Sequence, residues 1–517
     1  MLVSFMRGAF ALAAAGLLSK MMGALYRVPL SYLLGAEGIG LYQMAYPFFN
    51  IAFVVLVSGI PLAAAKLSAE EVARGRYGAA RQVFRVTLRL LLVMGSTLSL
   101  AFYCLAPFFA QHLLGDPRAL YPLRAMAPAV FFISILIALR SHFQGLQRMK
   151  AIAASQIIEQ LVRVATMLGL AFVLLPFGLE FAAAGATFGA ATGALAGVAI
   201  LGIIYLRTPR PRDTKEYQIK GGLEILGDIL RFALPITCGA FILPVMETVD
   251  AAIVPLRLQA VGFTVGQATA LYGQLTGMAV SLMAFPTVIT AAFAYSLMPA
   301  IAEAASLRQG ELIAQRVREA LHLTVLVGLP ATVGLYLLPT EICDLLFGTP
   351  AAGIPLTFLA FGSFFLSLQQ TTAAILQGLG RARLPLQSVL LGACCNALLN
   401  YYLTIIPALN IRGAALGTGL GFTVAALFNL RAVHRLTGIG LGIREFILRP
   451  LAASLGMAMV VRLAYAHFFF ILARRSTAVP LAVLAGAFTY LFLLLFFGAL
   501  PLGLLVRFLP PCLRKRP

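Results

Sequence analysis

Residues 122–150 read PLRAMAPAVFFISILIALRSHFQGLQRMK, a long and predominantly apolar run that closes on Phe143-Gln144-Gly145-Leu146-Gln147-Arg148 and then Lys150. About 20 such residues span a bilayer as a helix, and cations just beyond the run mark its cytoplasmic end. The ending recurs as Leu376-Gln377-Gly378-Leu379-Gly380-Arg381, with Gln144 and Gln377 separated by 377 − 144 = 233 positions. One segment thus indicates both a membrane span and an internal duplication.

Working outward, fourteen apolar stretches predict spans at roughly 5–34, 39–66, 82–108, 122–147, 152–175, 181–206, 227–256, 268–299, 318–338, 353–379, 385–406, 411–435, 446–465 and 480–506. The connecting segments alternate between rich and poor in Lys and Arg. With a cytoplasmic amino terminus, 27 of the 39 Lys and Arg fall inside, in clusters such as Lys66-Arg74-Arg76-Arg81-Arg85 and Arg207-Arg210-Arg212-Lys215-Lys220-Arg231. Only Arg118, Arg124, Arg257, Arg412, Arg474 and Arg475 fall outside, and six more lie at membrane depth. This asymmetry predicts a multi-pass protein of the bacterial cytoplasmic membrane with both termini inside.

Composition agrees: 61% hydrophobic and 11% charged residues in 517 place the chain in lipid, with no room for a sizeable soluble domain. The net charge of +21 is spread over eight cytoplasmic segments, so it serves topology and contact with anionic membrane lipids, and nucleic acid is excluded as a partner. Cys104, Cys238, Cys343, Cys394, Cys395 and Cys512 lack metal spacing and read as small apolar residues, without a disulfide. Arg7 and the following Ala-rich stretch imitate a signal peptide, but Lys20 and Arg27 at helical spacing favour a first span instead. Trp is absent, so Tyr must supply any interfacial belt.

The fold class is therefore an all-α polytopic membrane protein of fourteen transmembrane helices. Residues 1–206 form an N-lobe of six, 207–226 a basic cytoplasmic linker, 227–436 a C-lobe of six, and 437–517 two extra helices and a tail. Leu41-Tyr42-Gln43 against Leu271-Tyr272-Gly273-Gln274 supports the duplication further. Two repeats of the same hand place a substrate site in a central cavity and suit alternating access. Pro47, Pro235, Pro244 and Pro286 mark bends.

Charged residues at membrane depth cost about 2.5–3.5 kcal/mol each on insertion scales and are site candidates. Lys20 and Arg27, two turns apart on one face, read as cavity cations, with snorkelling the plain alternative for Lys20. Glu159 and Arg163, at i and i+4, read as an intramembrane pair before a substrate contact. Glu247 and Asp250, one turn apart with Arg257 beyond, would hold a proton or attract Na+ unless paired with Lys20 or Arg27. Arg140 and Gln144 would line or anchor an inner vestibule. Asn50 and Gln274, with Gln43, Gln369, Gln370, Asn396 and Asn400, read first as interhelical glue and then as lining. No phosphate loop, nucleophile motif or clustered His appears, so neither an enzyme nor a cofactor is expected; coupling to membrane potential, Na+ or H+ is.

Taken in order, Ser19-Lys20-Met21-Met22-Gly23, Tyr26-Arg27-Val28-Pro29-Leu30, Leu34 through Gln43, Phe143 through Lys150, Glu159-Gln160, Tyr272 through Met278, Phe285-Pro286-Thr287 and Leu297 through Ile301 resemble the stage V sporulation protein B branch of the multidrug/oligosaccharidyl-lipid/polysaccharide exporter superfamily. The resemblance covers essentially the whole chain. It implies a flippase for polyprenyl-pyrophosphate-linked saccharides, foremost lipid II, with Lys20 and Arg27 on the pyrophosphate and the last two helices forming a groove for the isoprenoid tail; separately, the protein is expected to work as a monomer. The eighth span lacks the Arg of the MurJ type, and Gln274 stands nearby. The rivals are a cation-coupled drug exporter using Glu247 and Asp250, and a non-transporting sporulation or envelope assembly factor.

Overall fold

The computed structural model describes residues 15–208 except 17, 20 and 24, residues 221–439, and residues 444–498 except 473. Lys20, most of the basic linker, the Ala-rich stretch before Ala15 and the C-terminal cations lie outside the described residues. The described chain is helical throughout, and eleven of its helices are long and apolar enough to cross a membrane. It divides into two compact units, residues 1–277 and 278–517.

The first unit holds α1 (Arg27–Val57), α2 (Gly59–Ala73), α3 (Tyr77–Phe108), α4 (Leu120–Gly145), α5 (Met149–Leu174), α6 (Leu179–Arg207), α7 (Gly222–Ala240), α8 (Ile242–Ala260) and α9 (Val265–Tyr272). The expected boundary between spans one and two appears inside α1, where Gly35 adopts φ 62°, ψ −173° and breaks the helical hydrogen-bond run. Only Gly takes this conformation readily. The stretch expected as a seventh span is built of two 19-residue helices, α7 and α8, that meet at Phe241.

Small residues set the helix spacing. A Cβ on Gly40 of α1 would lie 2.0 Å from the Thr269 carbonyl oxygen of α9, and one on Gly273 would lie 2.2 Å from the Ala36 carbonyl oxygen. Here backbone meets backbone directly. Gly59 of α2 sits equally close to α7, its Cβ position 2.2 Å from the Ala233 carbonyl oxygen. On α6, Gly189 and Gly193 let α5 approach at Arg163. Without a hydrophobic drive between helices in lipid, such close approach supplies the van der Waals contact that holds them.

A π-helical turn, Gly273–Ala279, interrupts the expected eighth span, which continues in α10 (Val280–Ala284) and α11 (Thr287–Ser306). The second unit adds α12 (Gly310–Leu337), α13 (Pro339–Phe347), α14 (Gly353–Gly378), α15 (Arg383–Leu403), α16 (Ile411–Thr437), α17 (Arg449–Leu472) and α18 (Arg475–Phe496). Ile301, Leu321, Ile375, Leu376, Ala426 and Val433 pack α11, α12, α14 and α16 into one core. Within it the hydroxyls of Thr324 and Thr371 lie 2.8 Å apart. The last two helices dock on α12 through Met457, Val461, Ala482 and Leu494 around Leu326, and the Tyr490 hydroxyl donates to the Leu326 carbonyl at 2.8 Å.

The duplication is visible in hydrogen bonds. After α4, Leu146, Gln147 and Arg148 donate to the carbonyls of His142, Gln144 and Phe143; after α14, Leu379, Gly380 and Arg381 donate to those of Ile375, Gln377 and Leu376. Each turn places a left-handed residue after the helix, Gln147 (φ 56°) or Gly380 (φ 74°). The same turn follows α2 at Gly75 (φ 78°) and α11 at Arg308 (φ 55°), again 308 − 75 = 233 apart. These are Schellman-type closures that satisfy the last helical carbonyls. Both α4 and α14 have 26 residues, and each is preceded by a three-residue turn starting at Pro117 or Pro350.

Candidate functional site

Polar groups gather on the faces of α1, α4 and α5 within the first unit. Tyr42 and Tyr46 are one turn apart on α1 and share a face. Tyr42 donates to the Tyr46 hydroxyl at 2.8 Å, and its own oxygen lies 3.0 Å from the Tyr26 hydroxyl. Arg163 reaches across from α5: its Nη2 donates to the Tyr46 hydroxyl, and the guanidinium carbon lies 5.9 Å from the Tyr46 ring centre. The Nε–H of Arg163 is buried without a partner. Arg27 is half-buried at the start of α1, and both Arg27 and Arg163 act electrostatically on the Tyr26 hydroxyl.

The expected pairing of Glu159 with Arg163 is corrected. Glu159 accepts from Arg140 Nη2 of α4 at 2.6 Å, while Arg140 also donates to Ser155 Oγ through Nε and Nη2, each at 3.1 Å. Arg163 feels Glu159 only at longer range. The helix-spacing rule placed the two on one face, but the rotation of α5 against α4 turns the acid to the neighbouring helix. Arg140 is thereby an anchor between α4 and α5 rather than a free lining cation, and Gln144 is exposed one turn further on.

Asn50 and Glu247 come together as well: the Asn50 amide donates to Glu247 Oε2 at 2.8 Å, linking α1 to α8. Lys20, one of the partners expected for Glu247, lies outside the described residues. Glu247 is exposed and Asp250 half-buried. Gln274 is buried in the π-helical turn, and Gln43 donates to the Thr276 carbonyl in that turn at 3.2 Å.

A second cluster went unrecognised in the sequence. Asp116 is 0% exposed and accepts from the Arg118 backbone N–H (3.0 Å), Arg118 Nε (3.1 Å), Arg118 Nη2 (2.9 Å) and the Thr269 hydroxyl (2.7 Å). Arg118 Nη1 donates onward to Glu37 at 2.7 Å. The network ties α1, the turn before α4, and α9. Its sequence signal, Asp before Pro at a helix start, resembles an ordinary capped turn.

A cavity of about 770 Å³ opens between α2, α3 and α7, with Lys66, Arg74, Arg76, Glu71, Asp228 and Arg231 on its walls. Its charges offset one another: Arg74 pairs with Glu71 at 2.9 Å and Lys66 approaches Glu70 at 4.0 Å. Among the described residues no group of His, Cys, Asp and Glu has metal-binding geometry.

Residues 5–305 match the family model described as polysaccharide biosynthesis protein, and residues 272–402 match MatE. The chain is 32% identical over 501 residues to Stage V sporulation protein B of Bacillus subtilis (strain 168), covering 96% of this chain and 95% of that protein. It is 26% identical over 489 residues to Lipid II flippase MurJ of the same organism, covering 88% of each. Among solved structures, Lipid II flippase MurJ in an inward closed conformation aligns with TM-score 0.70 at 16% identity, over 94% of this chain and 98% of that one. An inward-facing multidrug resistance MATE family transporter of the MOP superfamily aligns with TM-score 0.68 at 16% identity, over 82% of this chain and 96% of that one.

Proposed function

This chain belongs to the polysaccharide biosynthesis protein family, in the stage V sporulation protein B and MurJ-like branch of the multidrug/oligosaccharidyl-lipid/polysaccharide exporter superfamily, and from that premise we propose that it is a lipid-linked saccharide flippase. It is a multi-pass membrane protein. Its substrate is a polyprenyl-pyrophosphate-linked saccharide, foremost lipid II, moved as a peptidoglycan precursor from the inner to the outer leaflet of the bacterial cytoplasmic membrane. Fourteen spans in two six-helix lobes and an additional pair carry out alternating access, with both termini inside and the protein working as a monomer. The observation that carries this reading is the match, from near one end to the other, with Stage V sporulation protein B, accompanied by that with the flippase MurJ.

Physical chemistry favours the same class. A polyprenyl tail stays in lipid, but a sugar-pyrophosphate head crossing hydrocarbon uncompensated would cost far more than one residue's insertion penalty. Arginines lodged among phenols offer it a polar, cationic path. Outward movement of an anion is favoured by an inside-negative potential, worth about 2.3 kcal/mol per charge per 100 mV. Fluorescent lipid II in liposomes containing the purified protein should become accessible on the opposite face, faster than lipids bearing other glycans. Lipid II that stays on its original leaflet, at the rate of protein-free liposomes, refutes the reading.

The second reading, a cation-coupled drug exporter, is favoured by one feature: Glu247 is exposed and held by the neutral Asn50 amide. Growth of a sensitised host on ethidium separates the two.

A further inference from the structure

We infer that Arg163 is an anion-binding arginine that, together with Arg27, receives the two phosphates of a pyrophosphate-linked lipid; the inference rests on the flippase reading and assigns a residue to its binding site. Three observations lead there. First, the acid on Arg163's own helix is spoken for, because Glu159 is held by Arg140 at 2.6 Å. Second, the hydrogen-bond partner of Arg163 is a phenol, Tyr46, itself linked through Tyr42 to Tyr26. Phenols supply dipoles to a guanidinium but no countercharge, and an ionised group in a low-dielectric setting requires one. Third, the Arg163 Nε–H is buried and lacks an acceptor. A donor left in that condition forfeits its hydration with nothing in return.

The unpartnered Nε–H belongs to a planar fork that suits a phosphate oxygen, for which arginine is matched in geometry as well as charge. Arg27 and Arg163 both act electrostatically on the Tyr26 hydroxyl, so two guanidiniums lie near one phenol. Two cations near one hydroxyl fit a diphosphate better than a monophosphate. The phenol ladder then has a positioning role: Tyr46 fixes the Arg163 fork, and Tyr42 orients Tyr46.

The test uses the full chain in detergent and in liposomes, with inorganic pyrophosphate, inorganic phosphate and chloride as probes by titration calorimetry and a fluorescent polyprenyl-pyrophosphate saccharide for flipping. Arg163→Gln should weaken pyrophosphate binding roughly 10- to 150-fold, the range for losing a hydrogen bond to a charged group. Flipping at subsaturating lipid should slow in proportion. Arg163→Lys should recover part of the binding, and Tyr46→Phe, which keeps the charge, should cost several-fold in affinity through misorientation. Should Arg163→Gln fail to fold, the lysine and phenylalanine variants decide the matter.

Parent-like pyrophosphate affinity in Arg163→Gln, or equal affinity of the parent for chloride, overturns the assignment. If the parent flips lipid and Arg163→Gln flips it equally well, Arg163 has no such role while the flippase reading stands. If the parent flips nothing yet binds pyrophosphate in an Arg163-dependent way, the anion site stands and the flippase reading falls.

Discussion

Replacing Asp116 by Ala should lower the stability of the first unit by about 2–4 kcal/mol. The carboxylate is 0% exposed and accepts four hydrogen bonds, three from Arg118 and one from the Thr269 hydroxyl. Removing one partner of a buried ion pair typically costs about 3–5 kcal/mol, because the other charge is left uncompensated. Two facts reduce that figure: the Arg118 side chain is 34% exposed, and it keeps Glu37 at 2.7 Å. One fact raises it, since the buried Thr269 hydroxyl loses its acceptor at about 1–3 kcal/mol. At roughly 2–4 °C per kcal/mol for a unit of this size, the melting temperature in detergent should fall by about 4–16 °C. Thr269→Val alone should cost about 1 kcal/mol, and the double variant little more than Asp116→Ala, because both changes break the same bond. Scanning fluorimetry of the three variants measures this. A melting temperature within 2 °C of the parent for Asp116→Ala, or strictly additive losses in the double variant, would refute the network.

Gly40→Ala should destabilise by about 1–3 kcal/mol, because the new methyl meets the Thr269 carbonyl at 2.0 Å and backbone must move; a parent-like melting temperature contradicts the close approach. Arg140→Glu and Glu159→Arg should each destabilise the protein while the double exchange restores most of the loss, since the pair is held at 2.6 Å across α4 and α5; failure of the exchange to rescue denies their pairing. Cys343, buried in α13 and free, has its thiol pushed up to about 12 from 9.0 by burial. A raised acid keeps its neutral form in the folded state, so its contribution to stability is full below pH 9 and is lost as pH rises from about 9 to 12. Maleimide should therefore leave Cys343 unmodified at pH 7.5 until the protein unfolds, as mass spectrometry of labelled peptides will show; rapid native labelling contradicts its burial.

The all-helical, membrane-spanning character and the matching turns were legible because they depend on local quantities: apolar length, the charge that ends a run, and turn residues that recur with the same spacing. Partners were not. The spacing of Glu159 and Arg163 is a property of one helix, whereas the bond from Glu159 to Arg140 depends on how α4 and α5 rotate against each other, which no single-helix rule contains. Tyr46 and Arg163 are 117 residues apart and meet only after α1 and α5 pack. The Gly115-Asp116-Pro117-Arg118 turn reads as solvent-facing punctuation, whereas its carboxylate also accepts from Thr269, which arrives from α9, 153 residues away. The π-helical turn at Gly273–Ala279 likewise has no apolar-pattern signature, since it leaves composition unchanged.

The matched helix closures have a consequence for descent. At each corresponding pair of positions one copy uses glycine and the other a side chain held in the same left-handed conformation: Gly75 against Arg308, and Gly380 against Gln147. Glycine stands in the early turn of one half and in the later turn of the other. What the two halves share at these corners is the angle of the chain, while the residue that makes the angle easy to adopt differs between them.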